Sequence, residues 1–253
     1  MAKSIQEIKD EFKTADEKRR KELIEIYESD DRKGVRQIIE KCYKEEEKLN
    51  KELQRLEKMR FFERKYENYI NIAGIDEAGR GPLAGPVVAG AVILPKDCNI
   101  LYLNDSKQLS ASKRDLLYDE IKQKAVAYGV GIVPPERIDE INILQATYEA
   151  MREAVSNMDI KPDMALADAV TIPDFGFKQV AIVKGDAKSV SIAAASIIAK
   201  VTRDRMMVEM DKMYPEYGFA SHKGYGSKAH IEAIRQYGPC PIHRRTFIKN
   251  FIE

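Results

Sequence analysis

Ile72-Ala73-Gly74-Ile75-Asp76-Glu77-Ala78-Gly79-Arg80-Gly81-Pro82-Leu83-Ala84-Gly85-Pro86-Val87-Val88-Ala89-Gly90-Ala91-Val92-Ile93-Leu94 is the stretch on which the reading of this chain turns. It opens as a short apolar run and closes as another, the composition of two buried strands. Between them stand two adjacent carboxylates, a Gly79-Arg80-Gly81 turn and two prolines. Burying an unpaired carboxylate costs on the order of several kcal/mol or forces it to protonate. Acids placed where a strand opens into a glycine-rich turn therefore point to a metal or acid/base site. A solvated loop is the plainer alternative, but the apolar flanks and the small residues favour close approach of a ligand or a second backbone. Consecutive residues of a regular strand face opposite ways. For Asp76 and Glu77 to share one site, the strand is expected to end or bulge there, beside Gly74 and Gly79.

Two further acids stand in matching positions. Asp168 ends Met164-Ala165-Leu166-Ala167, and Asp186 follows Val180-Ala181-Ile182-Val183-Lys184-Gly185. If these strands run parallel to the first, their acids emerge at the carboxyl edge, where open sheets bind ligands. Asp76, Glu77, Asp168 and Asp186 then form an oxygen-only cluster, which suits Mg²⁺ or Mn²⁺ better than zinc.

The rest of the chain supplies the frame. At 253 residues it can hold one large domain or one domain with an appendage. A net charge of +1 confines any nucleic-acid surface to a local patch. The three cysteines show no metal spacing and fit a reducing compartment. With no apolar signal core or spanning run, a soluble, cytoplasmic protein without membrane contacts is expected. In residues 1–66 roughly half of the side chains are charged, the two signs nearly balance, and glycine is scarce. Helical spacing at Ile5, Ile8 and Phe12, at Leu23, Ile24 and Tyr27, and at Val35, Ile38 and Ile39 predicts two or three amphipathic helices in a hairpin or bundle. A break falls at Ser29-Asp30-Asp31, and Leu49, Leu53 and Leu56 share a later face. A solvated arm is the alternative.

From Tyr66 the pattern becomes α/β. Strands are predicted at Ile70–Ile75, Val87–Leu94, Ala125–Val133, Met164–Val170 and Phe177–Val183. Helices are predicted at Ala111–Lys124, Glu136–Asn157, Val190–Lys212 and Ser227–Tyr237. The order is βββαβαβ-like, with the first two or three strands antiparallel through short turns and parallel members later.

Other residues carry weaker signals. His222, His230 and His243 match no zinc motif and suggest surface or phosphate contacts. Asp204, well inside a predicted helix, is expected to pair with a neighbouring arginine. Ala193-Ala194-Ala195-Ser196 reads as close packing of a helix on the sheet. Gly79 and Gly81 lack a phosphate-loop lysine. Ser221-His222-Lys223-Gly224-Tyr225-Gly226, with His243-Arg244-Arg245 and Lys249 behind it, reads as a basic surface with an aromatic able to stack on a sugar or base.

The run from Gly74 to Ala89 resembles the opening motif of ribonuclease HII. The resemblance continues through Asp105-Ser106-Lys107, Lys184-Gly185-Asp186, the run from Ala193 to Asp204, and His222-Lys223-Gly224-Tyr225-Gly226. It implies a ribonuclease-H-like fold: a mixed five-stranded sheet flanked by helices. Residues 67–253 would form the catalytic domain, with a basic C-terminal helical segment, and residues 1–66 a helical N-terminal extension. The family's catalytic and metal-binding quartet falls on Asp76, Glu77, Asp168 and Asp186. Its glycine-arginine-glycine element falls on Gly79, Arg80 and Gly81, and its junction-sensing tyrosine on Tyr225, with Lys107 and Lys184 as phosphate contacts. In one departure, Ala169 stands where the family commonly has glycine. The sister type, ribonuclease HIII, has a sheet-containing N-terminal domain and a glutamate as fourth acid. The helical arm and Asp186 favour type HII.

The implied activity is endonucleolytic hydrolysis of the RNA strand of RNA–DNA hybrids, and nicking of duplex DNA 5′ of embedded ribonucleotides. The products carry 3′-hydroxyl and 5′-phosphate ends, as ribonucleotide excision and primer removal require. Two divalent ions, Mn²⁺ or Mg²⁺, would activate the attacking water and stabilise the leaving oxygen. A monomer is expected, and a chain starting near Phe62 is expected to stay folded and active. A related metal-dependent DNA nuclease or resolvase and a non-catalytic nucleic-acid-binding protein are the competing readings.

Overall fold

The computed structural model describes residues 3–252. The chain divides into two compact units, residues 1–55 and 56–253. Within the first run α1 (Ile5–Thr14), α2 (Glu17–Tyr27) and most of α3 (Lys33–Met59). Ser4 and Glu7 close a capping box on α1, and Asp16 caps α2 through the amide of Arg19. The apolar positions spaced along the sequence meet in one small core of Ile8, Phe12, Leu23, Val35 and Ile39, flanked by Ile24, Tyr27 and Ile38. The segment is therefore a helical bundle.

The second unit begins inside α3. Leu56 and Met59, both buried, pack with Val92, Leu117 and Ile197 of the sheet-bearing unit. Arg60 donates to the carbonyl of Cys98 (2.6 Å) and to Asn99 Oδ1 (2.7 Å). After the short α4 (Phe61–Lys65) come β1 (Ile72–Ala78), β2 (Val87–Ile93), α5 (Ala111–Lys124), β3 (Ala127–Val133), α6 (Pro135–Ser156), β4 (Met164–Asp168), β5 (Lys178–Ile182) and α7 (Val190–Met213). α8 (Phe219–His222), α9 (Lys228–Tyr237) and α10 (Arg245–Ile252) complete the chain. The sheet order is β3-β2-β1-β4-β5; β1, β2 and β3 are antiparallel, and β1, β4 and β5 are parallel.

α6 covers one face, where Ala146, Ala150, Met151 and Ala154 meet Ala73, Ile75, Val87, Ala89 and Ala91. α5 and α7 cover the other, through Leu117, Ile121, Ala193, Ala194, Ile197 and Ile198. The small residues of α7 let its backbone lie against β1 and β2: a Cβ on Gly74 would sit 2.0 Å from the carbonyl carbon of Ser191. A C-terminal cluster of Met207, Tyr217, Phe219, Ala233, Ile234, Cys240, Ile242 and Ile248 packs beneath Leu83 and Ala84.

Three expectations need correction. α5 lies between β2 and β3, so the order is ββαβαββα, and β2 and β3 pair antiparallel without a short turn. α6 is interrupted at Asn142 (φ 69°), whose side-chain oxygen accepts from the amides of Leu144 and Gln145, as an N-cap does. β4 stops at Asp168 instead of reaching Val170, because Ala169 turns the chain in the left-handed region (φ 54°). That conformation is the physical reason for a glycine preference at this position.

Candidate active site

Parallel pairing of β1 with β4 sets Ile75 opposite Ala167. One residue further along each strand, Asp76 and Asp168 leave the carboxyl edge as neighbours. β5 pairs Ile182 with Asp168, and the turn beyond it carries Asp186. The amide of Gly185 donates to Asp168 Oδ1 at 2.6 Å, tying that turn to the end of β4. Contrary to expectation, β1 neither ends nor bulges at the acid pair. Asp76, Glu77 and Ala78 keep regular register with Gly90, Ala89 and Val88. Asp76 turns towards α7, where the Ser196 hydroxyl favours its ionised form. Glu77 leaves the opposite face and meets Arg80 Nη1 at 3.4 Å. Its backbone amide donates to Asp76 Oδ1 (2.8 Å).

These acids crowd one another. Burial first, then the Glu77 and Asp168 charges, hold Asp76 well above the usual carboxylate range. Burial also raises Glu77, with Arg80 and Lys107 pulling the other way. Burial, then Asp105 and Asp168, raise Asp186. The cluster is short of positive charge, and all its donors are hard oxygens, so the residues fit a divalent cation. They do not yet close on a point: among the described residues no three acidic, imidazole or thiol groups converge tightly enough to hold an ion.

Of the other candidates, Lys107 lies close enough to act on both Glu77 and Asp186. Lys184 is exposed, in the left-handed region (φ 56°) just before the Asp186 turn. Tyr225, 43% exposed, stands over the glycine-rich turn, its ring carbon Cε1 3.9 Å from where a Cβ on Gly81 would lie. Asp204 stays away from the cluster and pairs with Lys200 (2.7 Å) and Arg114 (3.8 Å), not with an adjacent arginine.

Sequence reasoning missed Asp105, Ser106 and Ser196. The two serine hydroxyls meet at 2.9 Å, buried, and join the Asp105 turn to the support of Asp76. Only the Asp105-Ser106-Lys107 motif hinted at this. The basic surface expected around His243 and Arg244 is also corrected, since both side chains are buried.

Two of the three histidines are not surface or phosphate groups, while the half-buried His222 donates to the Tyr217 carbonyl through Nε2 (2.8 Å) and accepts from the Gly224 amide at Nδ1 (3.2 Å). His230 and His243 are buried and hydrogen-bonded Nε2 to Nε2 at 3.0 Å. His230 Nδ1 donates to the Tyr225 carbonyl (2.8 Å), and the Cys240 amide donates to His243 Nδ1 (3.0 Å). These partners require a neutral pair in which His243 Nε2–H donates to His230. Burial lowers both to about 4 from an ordinary 6.5. The unfolded chain therefore takes up these protons first, and stability is lost as the pH falls from about 6.5 towards 4. NMR titration of the folded protein is expected to keep both rings neutral through pH 5.5; midpoints near 6.5 would contradict the buried pairing.

A mixed sheet with acids gathered at the ends of adjacent parallel strands defines a ribonuclease-H-like hydrolase. The family model described as Ribonuclease HII matches residues 73–250, and that of the Ribonuclease HII N-terminal domain matches residues 4–67. A ribonuclease HII of Lachnoclostridium phytofermentans is 60% identical over 224 residues, 88% of each chain. One of Clostridioides difficile is 53% identical over 252 residues, 99% of each. The crystal structure of the ribonuclease H2 from Pyrococcus horikoshii superposes with a TM-score of 0.60 at 34% identity, covering 72% of this chain and 97% of that one. The chain belongs to the ribonuclease HII family and is a type 2 ribonuclease H.

Proposed function

We propose that the protein hydrolyses the RNA strand of RNA–DNA hybrids and nicks duplex DNA on the 5′ side of embedded ribonucleotides, leaving 3′-hydroxyl and 5′-phosphate ends. The observation that carries this reading is the register placing Asp76 beside Asp168, with Asp186 tied in through Gly185. Asp76, Glu77, Asp168 and Asp186 are the residues that would hold two divalent ions, Mg²⁺ or Mn²⁺. Bound there, such ions lower the pKa of an attacking water and offset charge on the leaving 3′-oxygen. Ser196 orients Asp76, and the Gly185 amide orients Asp168. Arg80, with the amides of Gly79 and Gly81, grips phosphate and sugar at the junction, and Lys107 and Lys184 contact flanking phosphates. The 2′-hydroxyl marks the substrate, and Tyr225 stacks on the neighbouring sugar. Such a monomeric enzyme serves ribonucleotide excision and primer removal in the cytoplasm. The test is a duplex carrying one ribonucleotide, incubated with Mn²⁺, Mg²⁺ or chelator. A cation-dependent nick 5′ of the ribonucleotide is expected; cleavage of an all-DNA duplex, or none of either, would overturn the reading.

Two predictions arise here. Tyr225→Ala is expected to reduce cleavage at a single ribonucleotide by about 5- to 150-fold, the worth of about 1–3 kcal/mol of stacking. A continuous hybrid offers many registers and should lose less; equal loss on both would make the tyrosine merely structural. The second concerns the N-terminal segment, which we assign to substrate affinity. Its apolar stripe is satisfied in its own bundle, and its balanced charges make a poor phosphate clamp. A cut near Phe62 would remove Leu56, Met59 and Arg60, which pack and bond within the second unit, and this supports a cut before Leu56. A chain beginning at Glu52 should fold and show its change mainly in KM. A well-folded truncation whose kcat drops more than about a hundredfold, about 2.7 kcal/mol, would place the segment in catalysis.

A further inference from the structure

Arg203 and Arg244 are the largest fully buried side chains, and neither has a carboxylate at ion-pair distance among the described residues. Asp204 and Asp139 act on them only from further off. Their partners are backbone carbonyls. Arg244 donates to Gly79 O (2.5 Å), Arg80 O (2.9 Å) and Gly85 O (3.0 Å). Arg203 donates to Pro86 O (2.9 Å), Ala84 O (3.0 Å) and Lys223 O (2.9 Å). Backbone bonds complete the attachment: the Arg244 amide donates to Leu83 O, Leu83 N to Gly224 O, and Gly85 N to Ile242 O.

The bonding of residues 79–86 is one-sided. Their carbonyls are drawn inward by two cations, while the amides of Gly79, Arg80 and Gly81 donate to no group among the described residues. Successive free N–H groups in a turn make a concavity that suits an anion. Gly79 (φ 95°) is packed so tightly on the clamp that a Cβ there would lie 2.1 Å from Arg203 Nε. Arg203 also bonds both this turn and the loop bearing Tyr225. Its guanidinium carbon lies 6.0 Å from the centre of the Tyr225 ring.

We propose that Arg203 and Arg244 are positioning residues for junction selectivity. They present the amides of residues 79–81 to the nucleic acid and hold Tyr225 at a fixed distance from them. The proposal rests on the ribonucleotide-nicking reading above. A single embedded ribonucleotide must be met by both elements at once, whereas a continuous hybrid can be engaged in alternative registers. The spacing of the two elements therefore bears more on the first substrate than on the second.

Arg203→Lys and Arg244→Lys test this, because lysine keeps the charge but cannot span carbonyls in a fixed fork. The readout is kcat/KM on a single-ribonucleotide duplex divided by kcat/KM on a continuous hybrid, with melting temperature measured alongside. The ratio is expected to fall by about tenfold in each variant. A folded variant whose ratio stays within about twofold of wild type, including one that loses both activities equally, overturns the proposal. A second measurement needs no substitution. In native hydrogen exchange, the amides of Leu83 and Gly85 should open together with those of residues 223–227, with protection matching within about tenfold. Exchange of the second segment more than about a hundredfold faster overturns the coupling even if neither variant folds. A wild-type enzyme that fails to nick at ribonucleotides would instead refute the functional reading, which is a distinct result.

Discussion

Exchanging Asp76 for asparagine is expected to remove nearly all turnover, and Asp168→Asn to do the same, while substrate affinity changes only several-fold. Under the proposed function each change deletes one anionic oxygen ligand and little volume, whereas the proposed phosphate contacts elsewhere would persist. A fall in kcat of at least about a thousandfold, some 4 kcal/mol, is expected under saturating substrate. Either variant keeping more than about a tenth of wild-type kcat, 1.4 kcal/mol of barrier, would remove that residue from the cluster. Stability should move the other way. Asp76 is held above its ordinary value by burial and by Glu77 and Asp168. At neutral pH, where the unfolded chain is ionised, this raised value costs stability, and the cost is relieved as the pH falls through its folded-state value. In chelator, Asp76→Asn is expected to melt higher than wild type, and Mn²⁺ should raise the melting temperature of wild type but not of the variant. A lower melting temperature for the variant in chelator would contradict the crowding.

The second large effect is structural. Gly74→Ala is expected to lower the melting temperature by roughly 6–12 °C, from at least about 3 kcal/mol of overpacking. Gly74 is paired on one side with Val92 and on the other with Leu166. Above it lies not a side chain but the backbone of α7, with Ser191 O and Ile192 N both 2.3 Å from a Cβ. Neither strand can move aside without breaking register, so the helix must lift. Gly81→Ala serves as the control: its Cβ would meet only Tyr225 Cε1, at 3.9 Å, and the fold should tolerate it. A Gly74→Ala protein melting within about 2 °C of wild type would mean that α7 sits less tightly than described.

The sheet and the place of the acids were legible because both depend on local pattern. Apolar runs closing on Asp76 and Asp168 carry strand identity and strand end together. Parallel pairing then makes them neighbours. The spacing of Ile8, Phe12, Leu23, Val35 and Ile39 likewise carried the N-terminal core. What escaped depends on contacts between distant residues. His243 and Arg244 look like surface groups beside Arg245 and Lys249. Nothing local says that carbonyls some 160 residues earlier satisfy Arg244. The regular run of β1 through Asp76 and Glu77 was missed because alternation was assumed to separate the two acids. The Asp168 charge nevertheless acts on both Asp76 and Glu77, so both belong to one cluster. The interruption of α6 at Asn142 was hidden by continuous helical composition on either side.

The contact between α7 and β1 also divides the acids by how they are anchored. Asp76 is on a strand with a neighbour on each edge and a helix backbone pressed on one face, so its motion is confined to that of the whole sheet. Asp186 lies beyond the edge strand β5, in a short turn between the exposed Lys184 and the exposed Ala187, moored at Gly185. The first is held by strand pairing on both edges and by the α7 backbone, the second by the turn that the Gly185 amide ties to Asp168. If the four acids hold ions as proposed, one side of the cleft is built on the centre of the sheet and the other on a turn at its edge, so a change in ion size is accommodated first at Asp186.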